Sequence, residues 1–255
     1  MDYALINVPA AALRRKPDHR KEMVNQLLFG ETVKVIRERK GLWVKVRSMH
    51  DDYEGWITLS QLTATGKEEA EQKSSFVVTG LLEEISFDQG SFHIPAGASL
   101  PMYDNGRGLL GKQVYRFSGF ARNRYEHPAS GQLILQLANA WLGVPYLWGG
   151  RSVLGVDCSG LVQVIFKQAG IDLPRDAWQQ AQQGKPVKKL EDALPGDLAF
   201  FDNGESIVHT GILMGDGNII HAQGSVRVDQ ITAKGIINRE TGKRTARLRA
   251  IRRII

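Results

Sequence analysis

Residues 146–160 read Y-L-W-G-G-R-S-V-L-G-V-D-C-S-G and carry Cys158, the single cysteine of the chain. The run L-V-Q-V-I-F-K-Q-A follows at once and stops at Gly170. Its apolar residues recur at helical spacing, so a helix is predicted that buries Leu161, Val162, Ile165 and Phe166. A lone thiol therefore stands where a helix begins. Unpaired backbone N–H groups and the positive end of the helix dipole favour a thiolate at such a place. The same N–H groups can hold the oxyanion of a tetrahedral intermediate.

Two histidines lie downstream, His209 in V-H-T-G-I-L-M and His221 in N-I-I-H-A, both on predicted strands. A histidine within reach of the thiol can take its proton and return it to a leaving amine. Asp157 can cap the helix, although its negative charge opposes thiolate formation next door. A single cysteine is also commonly a small buried hydrophobe, and a strand histidine is commonly structural. On residue types alone both readings stay open.

From about Gly131 onward the pieces P-Y-L-W-G-G, D-C-S-G-L-V, L-P-R-D, L-P-G-D-L-A-F-F, H-T-G-I-L-M-G-D-G and I-I-H-A occur in one order. In that order they resemble the NlpC-type cell-wall cysteine peptidases. The resemblance implies a circularly rearranged papain-like fold. It implies Cys158 as nucleophile, His209 as base and His221 as the third, orienting member. It places Tyr146 beside the nucleophile, at the oxyanion site. Ser159, Arg175 and Asp176 fall on the motifs as candidate substrate contacts. Ser159 could instead cap the helix, and Arg175 and Asp176 could pair with each other. Serines are frequent in the family after L-P-R-D, whereas Ala177 and Trp178 follow here.

The N-terminal half is patterned differently. T-V-K-V-I-R, L-W-V-K-V-R and Y-E-G-W-I alternate apolar and polar residues between turns, which suggests a small β-barrel over residues 1–65. Their order resembles bacterial SH3-like domains. S-F-V-V-T-G, A-G-A-S-L-P-M-Y and K-Q-V-Y-R-F-S-G suggest a weaker second copy over residues 74–127, joined by the polar, linker-like G-K-E-E-A-E-Q-K-S-S. H-P-A-S-G from His127 marks the boundary with a catalytic part over 128–255, read as helices first and antiparallel strands last. The expected architecture is multidomain: two small SH3-like β-barrels followed by an α+β papain-like catalytic domain.

That domain order resembles the γ-D-glutamyl-L-diamino acid endopeptidases. The resemblance implies a first SH3-like domain that closes one end of the cleft and selects peptidoglycan stem peptides with a free N-terminal L-alanine. It implies an ammonium bound at the acid beside the cysteine, here Asp157. Glu22 and Tyr53 are the first domain's candidate contributors to that pocket. The alternatives are a secreted hydrolase of intact peptidoglycan with the SH3-like domains as anchors, and a non-catalytic module binding wall peptides.

Composition fits a globular chain. The 255 residues are 42% hydrophobic and 24% charged, with no apolar run of membrane-spanning length. The net charge is +6 and Thr241–Ile255 is dense in arginine. No aromatic interleaving or helix-turn-helix pattern accompanies it, so a nucleic-acid partner is not expected. T-A-R-L-R-A-I-R-R-I-I reads as a closing strand with one apolar face. No metal or cofactor is expected. The N-terminus lacks the basic start and apolar core of a signal peptide, so the cytoplasm is expected, or the periplasm or exterior if a leader was cleaved.

Strand register constrains the two histidines. A tight turn at Asp216-Gly217 sets His221 opposite Ile212. That residue lies three positions from His209, so the two histidines face opposite ways. A three-residue loop, Gly215-Asp216-Gly217, sets His221 opposite Gly211, two positions from His209 and on the same face. The orienting role of His221 thus requires that loop, or another irregularity of odd shift, with Gly217 at positive φ.

Overall fold

The computed structural model describes residues 1–39 and 41–255. It divides into two compact units, Met1–His127 with Trp148–Val153, and Pro128–Leu147 with Leu154–Ile255.

In the first unit the three expected alternating runs form the strands Thr32–Arg39, Trp43–Ser48 and Glu54–Thr58. They lie inside a seven-stranded antiparallel sheet completed by Tyr3–Ile6, Ala10–Arg14, Met23–Leu28 and Leu62–Thr65. Alternate residues meet in one core, including Ala4, Ile6, Leu13, Val33, Val46 and Ile57. Residues 76–123 build a second β structure from a four-stranded and a three-stranded sheet, with a core around Ile85, Ile94, Tyr115 and Phe117 that Leu5 and Phe29 also enter. The polar stretch between them is not a plain linker. Lys67–Glu71 is helical, Ala70 is buried, and its carbonyl accepts the Thr32 hydroxyl at 3.1 Å.

In the second unit the helix Gly131–Asn139 starts at Ser130, whose hydroxyl accepts the Leu133 N–H. The helix Cys158–Gln168 is buried along its whole length, not on one face. Its end has a physical cause. Gly170 adopts φ +94°, its N–H reaches Lys167 O and the Ile171 N–H reaches Phe166 O, a Schellman closure.

A seven-stranded sheet covers this helix. Its order is Lys185–Val187, Arg244–Arg253, Leu198–Asp202, Ile207–Gly215, Asn218–Gln223, Ser225–Thr232, Gly235–Ile237. Gly235–Ile237 pairs back onto Arg244–Arg253, so six of these strands form a closed ring. The arginine-rich C-terminal segment is that closing strand, with Ala246, Leu248 and Ile251 turned to the core. The sheet's first strand in chain order is Lys185–Val187, ahead of the strand that carries L-A-F-F. Among the described residues no helix is long and apolar enough to cross a membrane.

Candidate active site

Asp157 is the N-cap of the Cys158 helix, and its Oδ1 accepts the Gly160 N–H at 2.7 Å. This cap puts Cys158 on the first helical residue. The thiol is almost completely buried. Its sulphur accepts the backbone N–H groups of Thr210 and Ser159. The nucleophile candidate is therefore held against the strand Ile207–Gly215 at the residue next to His209.

The hairpin that carries both histidines has a two-residue turn, Asp216-Gly217, with φ of +50° and +71°, and Gly215 opposite Asn218. The three-residue loop is not the solution adopted. A bulge between Leu213 and Gly215 supplies the odd shift instead, so that Leu213 faces Ile219 and Ile212 faces Ile220. Continued by one pair, that register sets His221 opposite Gly211. A Cβ on Gly211 would lie 2.9 Å from His221 Cβ. The histidines thus share a face, and His209 Nε2 lies 2.8 Å from His221 Nδ1.

Electrostatics at the site are dominated by burial. Burial first, and then the Asp157 carboxylate, push the Cys158 thiol up to about 12, against the pull of the Thr210 N–H, Arg175 and the Ser159 N–H. Burial and the neighbouring His221 push His209 down to about 3. The helix terminus alone would have favoured a thiolate; desolvation and the adjacent acid outweigh it. Burial also pushes the Tyr146 phenol up to about 12, with Cys158 and Asp157 adding to the effect. Tyr146 and His209 line one cleft of the second unit together with Phe201, Val208 and Gln223.

Arg175 does not turn to Asp176. Its guanidinium forms a two-pronged pair with Asp157, Nη1 at 2.9 Å from Oδ1 and Nη2 on Oδ2, and Nη1 also donates to Ser159 Oγ at 2.8 Å. Asp157 is therefore already paired with one cation, so an ammonium bound there would join Arg175 rather than meet a lone carboxylate. Gln180 Nε2 donates to Ser159 O and Pro174 O, and Gln163 Nε2 to Leu173 O, which seats L-P-R-D on the helix. Asp176 caps the short helix Ala177–Gln180, its N–H donating to Gln179 Oε1.

Glu22 and Tyr53 belong to the first unit. Glu22 pairs with Arg15 at 2.8 Å and accepts the Trp148 indole N–H at 3.0 Å. Tyr53 packs, partly buried, against the first core.

Sequence reasoning missed Asp229, which lies 3.0 Å from His221 Nε2. It also missed the Arg175–Asp157 pair, since the two residues are eighteen apart and nothing local couples them. Among the described residues no group of His, Cys, Asp and Glu could hold a metal ion.

Comparison with known proteins matches the NlpC/P60 family over residues 143–245, and the bacterial dipeptidyl-peptidase Sh3 domain over residues 13–62. The γ-D-glutamyl-L-lysine dipeptidyl-peptidase of Bacillus cereus is 31% identical over 253 residues, covering 88% of this chain and 75% of that protein. Its Bacillus subtilis counterpart is 34% identical over 212 residues, covering 77% and 71%. The crystal structure of an NlpC/P60 family protein from Bacillus cereus superposes with a TM-score of 0.83 at 26% identity, covering 99% of both chains.

Proposed function

The chain belongs to the NlpC/P60 family of cysteine peptidases, and from that premise we propose that it cleaves the γ-D-Glu–diamino acid bond of peptidoglycan stem peptides bearing a free N-terminal L-alanine. The observation that carries the reading is the hydrogen-bonded His209–His221 pair beside the Thr210 N–H that grips the Cys158 sulphur. Two relatives that match the chain over most of its length are named γ-D-glutamyl-L-lysine dipeptidyl-peptidases, which supports the reading.

In the reaction His209 takes the Sγ proton as sulphur attacks the γ-carbonyl carbon of D-Glu. The Tyr146 phenol keeps its proton through the neutral range and can donate to the oxyanion. The C–N bond then breaks, and the diamino acid's amine leaves with the proton from His209. Water, activated by His209, hydrolyses the thioester and restores the thiol. We place the substrate ammonium at Asp157, where it would join Arg175 on one carboxylate, with Ser159 and Asp176 as further substrate contacts. A need for a free amine suits peptides already released from glycan, hence recycling, with the cytoplasm as the place of work.

The test is steady-state kinetics on L-Ala-γ-D-Glu-diaminopimelate, on its N-acetylated form and on intact sacculi. Loss of a charge-assisted hydrogen bond should cost the acetylated peptide about 10- to 100-fold in kcat/KM. Equal rates on both peptides would overturn the free-amine reading, and release of peptides from sacculi would favour a wall hydrolase. Cys158→Ala and His209→Ala should each abolish turnover, because the two residues act as one unit.

A further inference from the structure

The chain of hydrogen bonds does not end at His221. Its Nε2 lies 3.0 Å from Asp229 Oδ2, and both side chains are fully buried. The strands Asn218–Gln223 and Ser225–Thr232 pair in unbroken register around Gly224. Asp229 stands opposite Ile219, two residues from His221, so carboxylate and imidazole are diagonal neighbours on one face.

Asp229 is itself firmly held. Its Oδ1 accepts the Arg239 N–H at 3.0 Å and Arg227 Nη2 at 3.1 Å, and Arg227 Nε lies 3.1 Å from Oδ2. Burial opposes its charge, but the Arg239 N–H, His221 and Arg227 outweigh burial and keep the carboxyl below its usual range. An ionised carboxylate only accepts hydrogen bonds. His221 must therefore carry its proton on Nε2. Burial, more than Asp229 offsets, keeps that ring uncharged, which makes Nδ1 an acceptor. His209 Nε2, at 2.8 Å, must then be the donor. The remaining lone pair of His209 is on Nδ1.

We propose that Asp229 is a fourth member of the catalytic relay, a positioning residue that fixes the tautomers of His221 and His209 by accepting the Nε2 proton of His221, and so makes Nδ1 the basic nitrogen of His209. The inference rests on the peptidase reading of the Cys158 site. Arg227 and the Arg239 N–H orient the carboxylate from its other side.

The experiment measures imidazole 15N and 1H spectra of the full-length wild type and of Asp229→Asn, with kinetics and thermal unfolding of both. The wild type should show protons on Nε2 of both rings. An asparagine amide can donate to His221 Nε2, which would move both protons to Nδ1 and remove the base. The variant should then lose about 10²- to 10⁴-fold in kcat, with KM changed only a few-fold. Asp229→Glu should keep the wild-type tautomers and recover part of the rate. Three results would each overturn the proposal: wild-type His221 protonated on Nδ1, wild-type turnover in Asp229→Asn, or a lost rate with unchanged tautomers and only a lower Tm. Should Asp229→Asn not fold, the wild-type spectrum decides. That spectrum needs no substrate, so its outcome is separate from whether the substrate assignment holds.

Discussion

Cys158 near 12 and His209 near 3 describe an uncharged thiol beside an uncharged imidazole, not a thiolate–imidazolium pair. The proton then moves only as the carbon–sulphur bond forms. The sign of the pH dependence follows. Between about 3 and 12 neither group changes its charge, so the small thiolate fraction rises with each unit of pH. Alkylation of Cys158 by iodoacetamide should therefore climb steadily from pH 5 to pH 9, with no plateau in the neutral range. A fast rate that stays level from pH 5 upward would show a preformed ion pair and refute this resting state.

The hairpin from Ile207 to Gln223 brings the two histidines together, and its bulge is what makes them meet. The turn alone, with positive φ at Asp216 and Gly217, would have left them on opposite faces. Gly211 is the second requirement of this element. A Cβ there would meet Ile219 Cδ1 at 2.8 Å, and Ile220 O and His221 Cβ at 2.9 Å, so His221 would have to move. Gly211→Ala should lower kcat by about 10²-fold through misplacement. Its stability cost should be only about 1–3 kcal/mol. Steady-state kinetics with thermal unfolding checks both, and undiminished turnover would show that His221 tolerates displacement.

At the scale of the molecule, Trp148–Val153 lies within the C-terminal half of the sequence yet belongs to the first unit. Arg151 explains the arrangement. Its guanidinium is fully buried, pairs with Glu31 through Nη1 at 2.9 Å and Nη2 at 2.8 Å, and donates to Gln26 O. Breaking such a buried pair from one side is costly, because the remaining charge loses its partner. Arg151→Ala should destabilise the full chain by about 3–5 kcal/mol in urea unfolding, whereas the double change Glu31→Leu with Arg151→Met should lie closer to wild type. Equal losses in both would show that packing, not charge, dominates there.

Local chemistry was enough to read several things directly. Helical spacing up to Gly170, the cap at Asp157 and the alternating runs at Thr32, Trp43 and Glu54 depend on neighbours a few residues apart, and the elements formed where that spacing indicated. The candidate nucleophile and the two histidines could be singled out because their motifs are local, and parity of register showed that the hairpin needed an irregularity. Which irregularity formed was settled by the sheet, since a bulge at Met214 and a longer loop satisfy the same parity. The partners that set charge lay out of reach. Arg175 on Asp157, Asp229 on His221 and Arg151 on Glu31 join residues far apart or on separate strands, and only the folded chain brings them within hydrogen-bond distance. Desolvation is likewise a property of the packed whole, and it reversed the expectation that a helix terminus would make Cys158 a thiolate.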